Sequence, residues 1–179
     1  MTPCHCIAID PGKSGGLALW SPDAGARAMK IPEIPDIRSL VITEYKRAKA
    51  AGLKLSICIE EPPRYYARAP GHEAPLSRIS LLFENYGMLR GLMYGIGVSS
   101  YTIRPQDWQK LFAKRDKMPY SNWKRLLKDI AQREFPDLGV TLHTADALLM
   151  LSHMLRAKGI KNPRPVSQPG APMSQAILV

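Results

Sequence analysis

Apolar positions along the chain follow two periods. Runs at 6–9 (CIAI) and 17–20 (LALW) flank a glycine-rich turn, which predicts a β-hairpin. The stretch ARAMKIP, 26–32, predicts a third strand ended by Pro32. From 37 to 51 the spacing changes: Ile37, Leu40, Val41, Tyr45 and Ala48 share one helical face, and Gly52 follows as a stop. LKLSICIE, 53–60, reads as a buried strand that ends in acid. Prolines 62, 63, 70 and 75 make 61–75 a long loop. Helical spacing returns over 76–97, and VSSYTI, 98–103, predicts a strand. Three helices complete the chain: 105–113 with Pro105 in its first turn, 121–136 with Ser121 as N-cap, and 143–159 stopped at Gly159.

The resulting order is β-β-β-α-β-α-β-α-α-α. It predicts an α/β fold with a mixed five-stranded sheet, an antiparallel meander first and parallel strands after it, flanked by helices. Residues 1–160 form the expected domain. The proline-rich stretch 161–179 is expected to be a flexible tail.

Composition narrows the partners. Lysine and arginine outnumber acids 25 to 15, a net charge of +10, which favours a polyanion such as nucleic acid. Three cysteines make no disulfide framework, and Cys4-His5-Cys6 lacks the further ligands of a zinc site. No apolar run has the length of a membrane span and no signal peptide is visible, so a soluble, cytoplasmic protein is expected.

Against that basic background the placement of three acids stands out. Asp10 closes the first strand (IAID) and Glu60 the fourth (ICIE). If these strands are parallel neighbours, the carboxylates meet at one sheet edge, since adjacent strands lie about 4.8 Å apart. Such a pair repels unless a proton or cation intervenes, and Mg²⁺ favours carboxylate oxygens. In LHTADALLML, 142–151, His143 and Asp146 are three apart and would share the first turn of the last helix. Asp10, Glu60 and Asp146 then form one acidic cluster with His143 beside it. Two metals about 3.5–4 Å apart in such a cluster activate water and stabilise a leaving phosphate oxygen. An acid at a strand end or helix start is often only a loop or dipole residue; the convergence of three carries the functional reading.

The segments IAIDPGKSGG, ICIEEP and HTADALLML resemble the active-site segments of RuvC-type Holliday-junction resolvases, within the RNase H-like superfamily. TIRPQDWQKLF resembles the P-x-x-W passage of the phage-like branch, and the likeness runs over about residues 5 to 158. The resemblance implies a metal-dependent endonuclease that resolves four-way DNA junctions by paired nicks. It implies that Asp10, Glu60, His143 and Asp146 are catalytic and bind two Mg²⁺ ions, with Mn²⁺ able to substitute. His143 either ligates the second metal or handles a proton. Branched DNA is the implied partner and a homodimer the implied assembly, in a bacterial or phage-infected cell. Leu82, Tyr86, Leu89 and Met93 form either a dimer face or internal core.

The chain departs from the family at Pro63, where bacterial resolvases carry an aromatic three residues after the strand glutamate. Tyr65 or Tyr66 could stack on a base instead. If the strand continues, Glu61 should point away from Glu60 by strand alternation, which favours Glu60 as the ligand. Lys114, Arg115, Lys117, Lys124, Arg125 and Lys128 are candidate backbone contacts, with Lys13 in the turn after Asp10 as a further one. The rival readings are a less selective flap or fork nuclease, a non-catalytic junction-binding protein, and an actin-like phosphotransferase. The last of these needs a second phosphate loop that this chain does not display.

Overall fold

The computed structural model describes residues 4–62, 76–115 and 118–160. The expected stacking residues Tyr65 and Tyr66, the cation Lys117, the departure at Pro63 and the tail 161–179 lie outside the described residues.

The ten expected elements form in the expected order: β1 (Cys4–Ile9), β2 (Gly16–Ser21), β3 (Gly25–Lys30), α1 (Ile34–Ala50), β4 (Lys54–Glu60), α2 (Leu76–Gly95), β5 (Ser100–Ile103), α3 (Pro105–Gln109), α4 (Tyr120–Glu134) and α5 (Ala145–Ala157). One five-stranded sheet has the order β3-β2-β1-β4-β5. The β1–β2 and β2–β3 pairs are antiparallel, and β1–β4 and β4–β5 are parallel.

Strand alternation divides the core between the two faces. Cys4, Cys6, Ala8, Ala18 and Cys58 point to one side, where they meet α4 and α5. These side chains are small, which lets helices lie close to the sheet. Ile7, Ile9, Leu17, Leu19, Ile57 and Ile59 fill the other side against α1 and α2. Helix α5 is the most enclosed helix, with every residue from Ala145 to Ser152 buried. Ile→Val-sized changes in such a core typically cost about 0.5–1.5 kcal/mol each.

Three features differ from the sequence reading. Helix α4 begins at Tyr120 with Pro119 as N-cap, so Ser121 does not cap it. The Trp123 amide is satisfied by the Pro119 carbonyl at 3.0 Å, two residues earlier than Ser121 would require. Helix α5 begins at Ala145, which leaves His143 in the preceding turn. A reciprocal Thr141–Thr144 pair closes that turn, with the Thr141 amide 3.0 Å from Thr144 Oγ1 and the Thr144 amide 3.2 Å from Thr141 Oγ1. Finally, the stripe on α2 goes mainly to the core. Leu89 and Met93 are fully buried there with Tyr86 packed beside them, so they form no dimer face. Among the described residues no helix is long and apolar enough to cross a membrane.

Candidate active site

The sheet register brings the first two acids together. Parallel β1 and β4 pair Ala8 with Cys58. Two residues further on, the same register sets Asp10 opposite Glu60. Both have the parity of the small side chains, so both belong to the α5 side of the sheet. Asp146, in the first turn of α5, faces the same place. Asp10, Glu60, His143 and Asp146 all line one cleft of about 500 Å³. The sequence argument for His143 rested on a shared helical turn; the turn before α5 delivers it to the cleft instead.

Two glycines permit this convergence. A Cβ on Gly15 would collide with the Asp10 carbonyl and stand 2.9 Å from its carboxyl carbon, and one on Gly16 would strike the His143 carbonyl. The β1–β2 turn can therefore fold over Asp10, whose Oδ1 accepts the Gly12 amide at 3.1 Å. On the far side of the turn, the Ser14 carbonyl lies 2.8 Å from His143 Nδ1. A carbonyl only accepts, so Nδ1 carries a proton. The lone pair of neutral His143 is thereby assigned to Nε2.

The acids are electrostatically frustrated. Burial, then the Asp146 charge, raise the Asp10 carboxyl to about 6. Burial, then Asp10 and Asp146, push Glu60 well above the carboxylate range. Asp146 Oδ1 is buried with no hydrogen-bond partner among the described residues, a costly arrangement for a carboxylate.

Two groups the sequence reading did not assign to the site relieve part of this. Lys124, expected on the DNA-facing surface, reaches from α4 to form an ion pair with Asp146 Oδ2. Burial alone would depress its ammonium; the charge and hydrogen bond of Asp146, with the Tyr120 and Asp10 charges, together outweigh that and lift it. The indole of Trp108, wholly buried, donates to Glu60 Oε1 at 2.8 Å. The P-x-x-W pattern was the available signal for Trp108. Nothing in the one-dimensional pattern distinguished Lys124 from the other cations of its run.

With the side chains so engaged, no three His, Cys, Asp or Glu residues among those described converge as a metal site. The donor set nonetheless fits a hard cation. Three recessed carboxylates repel, one oxygen has no partner among the described residues, and the neutralising charge present is a lysine ammonium.

The other expected DNA contacts are spread more widely. Lys13, in the β1–β2 turn, is exposed, as are Lys114, Arg115 and Arg125, while Lys128 is half-buried on α4. The Arg115 guanidinium lies 5.5 Å from the Tyr120 ring at the cleft rim. Glu61 also lines the cleft, and its amide bonds the Ile103 carbonyl at 2.8 Å.

No family model matches the sequence, and no curated protein matches it. Solved structures do share its fold. Thermus thermophilus RuvC in complex with a Holliday junction substrate superposes with a TM-score of 0.51 at 15% identity, over 90% of this chain and 99% of that chain. A second Thermus thermophilus RuvC structure gives 0.51 at 16% identity, over 89% of this chain and 99% of that one. The fold of this chain is the RuvC-like, mixed five-stranded α/β architecture.

Proposed function

We propose that the protein is a divalent-metal-dependent endonuclease that resolves four-way DNA junctions, in the manner of a phage-like RuvC resolvase. The observation that carries the reading is the cluster of Asp10, Glu60 and Asp146 in one cleft of a chain with net charge +10. A basic surface holds phosphates, and an acidic recess holds the cations that cut them.

Asp10, Glu60 and Asp146 would hold the metal ions, Mg²⁺ by preference and Mn²⁺ in substitution, with His143 Nε2 as a further donor. When bound, the metals lower the pKa of water and stabilise the developing phosphate charge. The residues of the chain do the rest. Trp108 fixes the orientation of Glu60 through its indole N–H. The Ser14 carbonyl holds His143 with Nε2 free to ligate or to take a proton from the attacking water. Lys124, released from Asp146, would pair with the scissile phosphate. Water oxygen bonds to phosphorus, one phosphodiester P–O bond breaks, and the leaving oxygen is protonated from solvent.

Paired nicking needs two sites, hence a homodimer. The outward face of α2 supports one, with Met88 and Tyr94 exposed and, among the described residues, nothing within 4 Å of a Cβ added at Gly87, Gly91 or Gly95. Lys13, Lys114, Arg115, Arg125 and Lys128 would follow the DNA backbone.

The test is cleavage of synthetic four-way junction, flap, fork and duplex DNA with Mg²⁺. Symmetric paired nicks in the junction are expected. Cutting of flaps and forks but not junctions would replace resolution with a general branched-DNA nuclease. Junction binding without turnover would make the protein a non-catalytic junction binder.

A further inference from the structure

The nuclease reading leaves one rim residue without a role. Tyr120, the first residue of α4, is 61% exposed and lines the cleft that holds Asp10, Glu60 and Asp146. Of the large apolar side chains exposed among the described residues, only Tyr120 and Leu142 line this cleft, and Tyr120 alone is aromatic. Packing does not require the ring there, since it contributes to neither core cluster.

Two cations attend it. Arg115 Cζ lies 5.5 Å from the ring centroid and Lys124 Nζ lies 5.7 Å from it. Arg115 is itself exposed, and Lys124 bridges the ring and Asp146. The rim thus offers a largely exposed π surface with two positive charges held over it, a few side chains from the acids. A nucleotide presents the complementary set, a flat base and a phosphate on each side of it.

We infer that the Tyr120 ring is the surface on which an unstacked base next to the scissile phosphate rests, making it a specificity-determining residue for branched over linear DNA. This rests on the nuclease reading and deepens it. A paired base in a continuous duplex is stacked on both faces and offers none to the ring. At a branch point stacking is already interrupted, so the ring gains a partner at little cost. Arg115 and Lys124 would turn from the ring to the phosphates flanking that base, and the ring they leave would choose where along the strand those phosphates are held.

The experiment compares wild type with Tyr120→Leu, Tyr120→Phe and Tyr120→Trp. Nicking is measured on a four-way junction and on linear duplex with Mg²⁺. In parallel, a junction carrying 2-aminopurine beside the mapped cut is bound without divalent metal, and its emission is read. Tyr120→Leu is expected to slow junction nicking about ten-fold, the usual scale of one base–aromatic stack, and to leave the duplex background unchanged. Tyr120→Phe should stay within about two-fold of wild type, because it keeps the ring. Binding should change 2-aminopurine emission with wild type and Tyr120→Trp, and this change should be lost with Tyr120→Leu. Junction nicking at the wild-type rate by Tyr120→Leu overturns the inference alone. Slower nicking with an unaltered emission change also overturns it, because the ring would then act only by positioning Lys124. A wild-type protein inert on every DNA overturns the nuclease reading and this inference with it.

Discussion

Two groups of charged side chains lie on opposite faces of the same sheet, and they are built by opposite rules. On the α1 side, Glu44 is buried and fully served. His5 Nδ1 donates to it at 3.0 Å, and Arg27 and Arg47 each reach it at 2.8 Å. Burial would raise its pKa, but the hydrogen bonds from Arg27 and His5 and the arginine charges hold it below the usual range. On the α5 side, three acids share one lysine, one indole and one backbone amide. Two of them are pushed upward and one oxygen has no partner among the described residues. The first group spends its charges on folding. The second leaves charge uncompensated where a ligand can reach it, which is the signature of a working site.

The largest expected contrast separates activity from stability. Asp10→Asn or Asp146→Asn should lower junction nicking by about a thousand-fold or more, as loss of a member of a catalytic unit does. Asp10→Asn should keep or raise the melting temperature in metal-free buffer, because it removes a repelling charge, whereas Asp146→Asn also strips Lys124 of its partner and should not share that gain. Glu44→Gln should do the reverse of Asp10→Asn. It strips the partner from His5, Arg27 and Arg47 and should cost about 2–3 kcal/mol, discounted for the exposure of the arginines. Its nicking rate at a permissive temperature should match wild type. Gel-based cleavage and thermal denaturation of the same preparations read both effects.

Lys124→Met sharpens the comparison from within the cleft. Removing the only cation paired with Asp146 among the described residues should destabilise the metal-free protein by about 2 kcal/mol. Added Mg²⁺ should then restore more stability than it adds to wild type, because it supplies the missing charge. Equal Mg²⁺-dependent shifts in the two proteins would mean that Lys124 and metal do not serve the same acids.

The smallest effect is in pH. Asp10 is raised to about 6 from 3.8, so the folded chain holds its proton more readily than the unfolded chain does. The cost of its charged form is therefore complete above its folded value and fades as pH falls through it. Glu44 has the opposite sign: its stabilisation is present above the unfolded carboxylate value and is lost as pH falls through its depressed folded value. The advantage of Asp10→Asn over wild type should shrink between about pH 7 and about pH 5, while the deficit of Glu44→Gln persists until lower pH. Melting curves across that range check both trends.

Much of the architecture was legible in the sequence because it follows from periodicity and local chemistry. Strand runs such as IAID and ICIE, and helical spacing over 37–51, placed the elements in order. The strand-end position of Asp10 and Glu60 followed from the same runs. Three features were not legible, each because it depends on contacts between distant segments. The stripe through Leu89 and Met93 has one pattern whether it faces a partner or α1, and only packing decides. His143 reaches the cleft from a threonine-closed turn, not from a helical face. Lys124 lies in a run of similar cations, and its difference comes from the packing of α4 against α5, which sets it beside Asp146. What the sequence showed least is the imbalance of charge in the cleft, which emerges only when desolvation is added to proximity.

That imbalance is the centre of the account, and metal binding tests it most directly. Wild type, Asp10→Asn, Asp146→Asn and Glu44→Gln would be titrated with Mn²⁺ and followed by calorimetry and by the paramagnetic signal of the free ion. The expected result is saturable binding by wild type and Glu44→Gln, with binding weakened at least about ten-fold in the two cleft variants. Equal binding by all four proteins, or none by wild type, would contradict it.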